Sequence, residues 1–295
     1  MKSKHFECVP FIKKIFYSKV PKMKIVKTID ELQAARAELR GSVGLVPTMG
    51  ALHNGHLSLI QQSTAENDHT IVSIFVNPTQ FLEGEDLDKY PKKPEADIKI
   101  CEFASVAILF MPSSEVMYAS IEPSILAPTS KSYILEGFAR PGHFNGVLRV
   151  VLKLFNLTKP THAYFGKKDA QQLYMIQNMV QSLFLDIKIV PCEIVREDDG
   201  LALSSRNVYL NPTERKEALK LCESLKVATR LLIKGERHIP NIQAEMLKAL
   251  APLHVEYVEI LNRDFDTITT LEIGNAIILV CAKVGTTRLI DNLWV

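Results

Sequence analysis

The sequence predicts a doubly wound α/β body followed by a smaller α+β part, and three observations carry that prediction. Short apolar runs alternate with helix-patterned stretches to about residue 190. The run at 71–76 is β-branched and aromatic, as in a strand buried on both faces of a parallel sheet. After Pro191 the chain becomes charged and turn-rich, and two long helical patterns then precede two further strand patterns.

In order, residues 29–40 read as an amphipathic helix capped by Asp30 and closed by Gly41. Residues 43–46 form the first apolar strand, and 47–56 a tight loop opening into a helix that begins its apolar pattern at Leu57, Leu59 and Ile60. The strand at 71–76 ends where Pro78 stops the ladder. A helix over 94–104 and a third strand over 106–110 follow. Residues 112–142 carry Pro, Ser and Gly punctuation, and an irregular segment of that length is usually functional. A helix over 146–157, a short strand at 163–165, the loop 166–169, a helix over 170–183 and a strand at 186–190 complete the alternation. The C-terminal part offers helices at 213–234 and 241–250 and strands at 255–261 and 276–283.

The chain has 295 residues, 47% of them hydrophobic, enough for one large or two ordinary domains. Its net charge is +2, but six lysines (Lys2, Lys4, Lys13, Lys14, Lys19, Lys22) against Glu7 give residues 1–22 a charge of +5 and leave −3 elsewhere. A mildly acidic body argues against a general nucleic-acid surface. Cys8, Cys101, Cys192, Cys222 and Cys281 are scattered, which indicates neither a disulfide framework nor a zinc site and fits a reducing cytosol. No apolar run approaches the roughly 20 residues of a membrane span. Residues 1–22 are basic with interspersed Phe6, Phe11, Ile12, Ile15, Phe16 and Tyr17, but lack a long apolar stretch and read as a dispensable extension.

Chemistry concentrates in the loop PTMGALHNGH, residues 47–56. A helix that starts at such a loop aims unpaired N–H groups and its positive dipole end at an anion, and phosphate is the natural guest. Gly50 and Gly55 let backbone and ligand approach, and His53 and His56 stand ready to donate to a phosphoryl oxygen. His-x-x-His is also a metal-ligand spacing, but a structural zinc wants further ligands, and the next candidates are as distant as His69 and Cys101. Three further polar clusters are Asn77 with Gln80; Lys168, Asp169 and Gln171/Gln172; and residues 196–206 with Ser204-Ser205-Arg206. Lysine and arginine beside a phosphate-binding helix end hold outer phosphates, and amides suit a neutral, hydroxyl-bearing substrate. Each cluster alone is the kind that is commonly only solvated; their shared position at strand ends links them. His143 is expected to order its loop or cap the next helix, and His162, His238 and His254 to be structural or solvated. Asp198-Asp199-Gly200 reads as a turn, with a carboxylate pair as a possible magnesium contact. Trp294 and residues 288–292 suggest no chemistry.

Six ordered motifs, PTMGALHNGH (47–56), SIFVNPTQF (73–81), LEGFARPGHFNGV (135–147), FGKKDAQQL (165–173), DGLALSSRN (199–207) and RLIDN (288–292), resemble the pantoate–β-alanine ligase family over residues 24–293. The resemblance implies a Rossmann-like body over 23–195 and a C-terminal lid over 196–295, a cytoplasmic homodimer, and ATP with Mg2+, whose protein ligands it does not assign. It implies a two-step ligation: pantoate attacks the α-phosphorus of ATP, and the β-alanine amine then displaces AMP from pantoyl adenylate. It assigns Met49, Gly50, Ala51, Leu52, His53, Asn54, Gly55 and His56 to ATP, with His56, His53, Lys168 and Arg206 catalytic. Gly166, Lys167, Lys168, Asp169, Val195, Leu203, Ser204, Ser205 and Arg206 also fall to ATP, Lys168 and Arg206 meeting phosphates and Val195 the adenine side. Gln80, Gln172 and Asn77 fall to pantoate, Gln80 also to β-alanine. His56 is better described as stabilising charge than as donating a proton, because departing pyrophosphate needs little protonation. The chain departs from the family pattern at Lys167, where Glu is common, at Ala170, where an aromatic is common, and at Asn145, where Arg is frequent. Two other readings share the motifs: an adenylyl transferase making a dinucleotide-like product, which Gln80 and Gln172 oppose, and a nucleotide-binding regulator without turnover, which Lys167 raises.

Overall fold

In the computed structural model, which describes residues 22–295, period-two alternation along the apolar runs decides the architecture. Successive residues of a strand point to opposite faces. Leu45, Ile71, Ile108, Phe110, Ala163 and Phe165 enter one apolar cluster, while Val46, Val72, Leu109 and Tyr164 enter another behind the sheet. Both faces therefore need helical cover, and the chain supplies it. The expectations for residues 1–21 lie outside the described residues.

The elements are β1 (Lys24–Val26), α1 (Ile29–Glu38), β2 (Val43–Thr48), α2 (Asn54–Glu66), β3 (His69–Ile74), α3 (Pro94–Phe103), β4 (Ile108–Phe110), α4 (Ser114–Met117), α5 (Thr129–Ser132), α6 (Leu135–Ala139), α7 (His143–Thr158), β5 (His162–Gly166), α8 (Ala170–Ser182), β6 (Lys188–Cys192), α9 (Pro212–Ile233), α10 (Ile239–Leu250), β7 (His254–Asn262), β8 (Ala276–Val284) and β9 (Thr287–Trp294). Single 3-10 turns occur at Pro78–Gln80, Lys167–Asp169 and Ser205–Tyr209. The six-stranded sheet has order β1-β4-β3-β2-β5-β6 and every pairing in it is parallel. Helices α1, α7 and α8 cover one face, α2 and α3 the other. This is the doubly wound α/β sheet that the sequence predicts, with a smaller part in which β7-β8-β9 form an antiparallel sheet packed against α9 and α10.

Strand order reverses between β2 and β5, and at such a switch point the loops leaving the two strands diverge and open a crevice. The β2–β5 ladder covers only Gly44 and Leu45. Pro47, with no N–H to give, lies beyond it. The loops after β2 and β5 therefore face each other across the crevice.

Several boundaries differ from the expectations. Thr28, not Asp30, caps α1: its Oγ1 accepts the Glu31 N–H at 3.2 Å while the Glu31 carboxylate accepts the Thr28 N–H at 3.1 Å. The chain leaves α1 extended at Leu39, so Gly41, at φ +86°, serves the turn into β2 and not the helix end. Strands β1 and β9 are additions, β1 pairing with β4 and β9 with β8. The irregular segment 112–142 contains α4, α5 and α6, tied down by Asn145 Oδ1, which accepts the Ala127 N–H at 2.8 Å, and by the buried Gln171 amide, which spans Lys131 O, Ile134 O and the Glu136 N–H.

Helix α7 buries Phe144, Val147, Leu148, Val150, Val151, Leu154 and Phe155, each large apolar side chain contributing about 1.5–3 kcal/mol. It is also pressed against the 3-10 turn at 78–80. A Cβ on Gly146 would lie 2.1 Å from Thr79 O and 2.7 Å from Gln80 N. Gly146→Ala is therefore expected to cost about 1–3 kcal/mol by pushing helix and turn apart, lowering Tm by roughly 2–10 °C. An unchanged melting curve would show that the contact has slack.

Candidate active site

The loop after β2 is set by two consecutive left-handed residues, Gly50 at φ +86° and Ala51 at φ +51°. Gly50 tolerates this conformation without strain; Ala51 needs an external restraint, and Asp97 on α3 supplies it. Its carboxylate, 2% exposed, accepts the Ala51 N–H at 2.9 Å and the Leu52 N–H at 2.7 Å. Successive N–H groups in such a turn form a nest for an anion, and here the anion is the protein's own.

Helix α2 begins at Asn54, earlier than the apolar pattern implies, so His53 is its cap and His56 stands in its first turn. The orphan N–H groups of a helix start usually find hydroxyl or carboxylate oxygens; here they find ring nitrogens. His53 Nδ1 accepts the Gly55 N–H at 3.1 Å, and His56 Nδ1 accepts the His53 N–H at 3.4 Å. Both rings are thereby held as Nε2–H tautomers, their centroids 4.1 Å apart. Burial and the neighbouring positive charge of Lys168 lower the pKa of His53; burial, then His53, bring that of His56 down to about 3. The pair is neutral at pH 7 and presents Nε2–H donors. Gly55 is required for a reason other than ligand approach: a Cβ there would lie 2.9 Å from His53 Cε1.

The facing wall comes from the turn after β5 and from residues 193–206. Lys168 pairs with Asp169 at 3.2 Å. Arg206 is paired with Asp86, at 3.0 and 3.1 Å. Ser204 Oγ accepts the Arg206 N–H at 3.2 Å, and the Leu203 N–H donates to Val195 O at 3.0 Å. Burial opposes ionisation of Asp169, but Lys168 outweighs it and the carboxyl titrates low. The Asp198-Asp199-Gly200 turn is present, with Gly200 at φ +97°, and the Asp199 carboxylate is taken by Arg215 at 2.7 Å.

At the base, Gln80 donates through Nε2 to Met49 Sδ at 3.1 Å and accepts from Asn77 Nδ2 at 3.1 Å. Asn77 also donates to Gly146 O and accepts from the Thr79 N–H, Thr79 Oγ1 and Tyr118 Oη. Its polar atoms are committed to protein, so Asn77 orients Gln80 rather than offering itself to a ligand. His143, 7% exposed, donates from Nδ1 to Gln80 O at 2.8 Å and accepts from Arg140 at Nε2 at 3.1 Å, while Arg140 pairs with Glu85 at 2.6 Å. Burial first, and then the Arg140 guanidinium facing Nε2, bring the pKa of His143 down to about 4.

Two adjoining cavities fill the crevice, of about 250 Å³ and 790 Å³, sharing Arg140, His143, Lys168, Asp169, Gln172 and Arg206 among their walls. Met49, His53, Gly55, His56, Asn77, Gln80, Gly166, Val195, Leu203, Ser204 and Ser205 line the smaller one. Gly50, Ala51, Leu52 and Asn54 line neither: the first three shape the loop behind its surface, and Asn54 is exposed. Lys167 also lies outside both. Its ammonium sits 5.6 Å from the centroid of the Trp294 ring and pairs with Glu193, which lines the smaller cavity, so the charge difference at this position reaches the crevice only through Glu193. Ala170 is buried at the apolar joint with Leu261, Phe265, Ile277 and Leu279. Gln171 braces α6, leaving Gln172 as the member of the pair free to face both cavities.

Sequence reading missed Asp97, Asp86 and Glu85, and used the RLIDN run as a family motif without giving it a role. No spacing ties 97 to 51 or 86 to 206; each is an ordinary helix or loop acid until the chain folds. Within β9, Asp291 pairs with Arg196 at 2.6 and 2.9 Å, and Arg288 pairs with Glu136 at 2.5 Å.

A family model described as Pantoate-beta-alanine ligase matches residues 24–294. The pantothenate synthetase of Aliarcobacter butzleri is 60% identical over 272 residues, covering 92% of this chain and all of that one, and that of Helicobacter pylori is 53% identical over 276 residues with the same coverage. Among solved structures, the pantothenate synthetase of Thermus thermophilus superposes with a TM-score of 0.88 at 39% identity, covering 92% of this chain and 99% of that one. A Francisella tularensis pantoate-β-alanine ligase, complexed with β-γ ATP and β-alanine, superposes at 0.78 with 36% identity, covering 92% and 97%.

The buried histidines make stability pH-dependent in a definite direction. His143 takes a proton in the folded chain only near pH 4, whereas its ordinary pKa is 6.5. The unfolded chain therefore binds more protons between these values, and stability, complete above 6.5, falls as pH falls. His143 alone should cost about 2 kcal/mol between pH 7 and pH 5, with His53 and His56 acting in the same sense. Carboxylates with lowered pKa values begin to add to this loss at about pH 5 and dominate below it. Urea melts at pH 7 and pH 5 check this; equal midpoints would mean that His143 is protonated in the folded state.

Proposed function

The chain belongs to the pantoate–β-alanine ligase family, and from that membership we propose how its crevice carries out the family's reaction. The enzyme joins pantoate and β-alanine to form pantothenate, a coenzyme A precursor, using ATP with Mg2+ and passing through pantoyl adenylate. Adenylation turns a carboxylate oxygen, a poor leaving group, into the good leaving group AMP. The remaining task is to align two nucleophilic attacks and to stabilise charge, which suits a crevice of amides, imidazoles and cations.

ATP lies across the switch point. Gly166, Asp169, Val195, Leu203, Ser204 and Ser205 form its bed, with Val195 on the adenine side, while Lys168 and Arg206 meet the phosphates. Arg206 must be shared with or released by Asp86 when phosphate arrives. Pantoate occupies the base of the smaller cavity, beneath the ATP bed that also lines it, its hydroxyls and carboxylate reached by Gln80 and Gln172, and β-alanine enters beside Gln80. His53 and His56 donate from Nε2 to the phosphoryl oxygens on which charge accumulates. Their low pKa values make neutral donors of them, and this supports charge stabilisation over proton transfer. Among the described residues no group of three or more His, Cys, Asp or Glu side chains surrounds a common metal position, which fits an ion carried mainly by the phosphates. Asp169, a carboxylate that lines both cavities, would be the protein group nearest such an ion in this reading.

Residues 23–195 act as the nucleotidyl-transfer domain and 196–295 as the lid that keeps water from the acyl adenylate. The separate apolar cluster of the C-terminal part supports this division. The enzyme works as a cytoplasmic homodimer in this reading; the scattered cysteines fit a reducing compartment, and among the described residues no helix is long and apolar enough to cross a membrane.

The neutral imidazole pair is the observation that carries the assignment. With ATP, Mg2+ and pantoate, AMP should appear only when β-alanine is added, and His56→Ala should slow pantoate-dependent pyrophosphate release by roughly 10²–10³-fold. The single-turnover rate of that step should stay level from pH 6.5 to 8.5. A fall with an apparent pKa near 7 that vanishes in His56→Ala would make His56 a proton donor, and ATP binding without AMP formation would contradict the ligase assignment.

A further inference from the structure

Residues 288–292 carry no obvious chemistry in sequence, yet they reach the crevice from the far side of the molecule. Asn292, 2% exposed on β9, donates both hydrogens of its Nδ2, to Lys167 O at 2.9 Å and to Lys168 O at 2.7 Å. These two carbonyls belong to the peptide groups on either side of the Lys168 Cα. Because each peptide group is planar, fixing both oxygens fixes φ and ψ of Lys168 together, and with them the direction of its Cα–Cβ bond. Trp294 Nε1 adds a longer contact to Lys167 O at 3.4 Å.

We propose that Asn292 is a positioning residue for adenylation: its side-chain amide clamps the backbone on both sides of Lys168 and so aims the Lys168 ammonium at the nucleotide phosphates. The inference rests on the assignment of Lys168 to those phosphates. A second observation shows why the clamp sits on this strand. Adjacent residues of a strand face opposite ways, and the preceding residue, Asp291, holds Arg196 at the start of the segment bearing Arg206. One strand thus grips the backbone on both sides of Lys168 and, through the Arg196 side chain, the start of the segment that bears Arg206. The chemistry of the clamp is specific to an amide. Two donors on one planar group match two acceptors, while Asn292 Oδ1 has no protein partner among the described residues, so a carboxylate there would bury a charge against two carbonyl oxygens.

A double-mutant cycle in the full-length enzyme tests this. Asn292→Ala is expected to lower kcat/KM for ATP about 10- to 30-fold at saturating pantoate, with KM for pantoate changed less than twofold, and Asn292→Asp to be worse. In a Lys168→Ala background the same Asn292→Ala change should cost less than twofold, because its target is gone. Additive losses in the two backgrounds, or a wild-type rate in Asn292→Ala, would overturn the clamp. If Lys168→Ala alone leaves kcat/KM for ATP unchanged, the assignment of Lys168 fails instead, a separate result. Should Asn292→Ala fold poorly, Asn292→Ser, which keeps one donor, is measured with its melting temperature. Full stability with an intermediate kcat/KM for ATP supports positioning, and a loss that follows stability alone opposes it.

Discussion

The requirement that backbone N–H groups at the start of a helix find acceptors governs more of this molecule than any single apolar contact. The first turn of α2 meets it with the ring nitrogens of His53 and His56, and the turn before it meets it with Asp97. These choices settle the tautomers of two imidazoles, keep them uncharged, and hold Ala51 in a conformation that a residue with a Cβ ordinarily avoids. If the histidines act as proposed, hydrogen-bond satisfaction and preorganisation of the donors are the same set of contacts.

The two parts of the chain are joined by a mixed interface whose polar members serve the crevice. Arg288 and Tyr257 converge on Glu136, and apolar packing of Ala170 against Leu261, Phe265, Ile277 and Leu279 closes the joint. Any relative motion of the two parts would have to keep or break these part-buried ion pairs, whose rupture leaves charges without partners.

The alternation of strands and helices was legible because each central strand is apolar on both faces and each covering helix shows its own period. β1 was not, being three residues long with Lys24 and Ile25 exposed at the sheet edge. β9 was not, since Arg288, Asp291 and Asn292 interrupt its apolar pattern with groups that reach Glu136, Arg196 and Lys168, more than 90 residues away in sequence. The histidine loop could be placed from local pattern, because a strand, two glycines and a helix start lie within a dozen residues. Asp97 and Asp86 could not, as their significance exists only across long-range contacts. The three residues that depart from the family pattern are explained by position: Lys167 faces away, Ala170 fills a joint, and Asn145 ties a loop.

Position 167 shows a division of labour between main chain and side chain. The molecule uses its carbonyl oxygen, gripped by Asn292 and Trp294, and every amino acid supplies that atom identically. Its side chain lies on another surface with Glu193 and Trp294. What the proposed site takes from position 167 is peptide geometry, which a glutamate would supply equally well, but a glutamate side chain there would set a second carboxylate beside Glu193 in place of an ion pair.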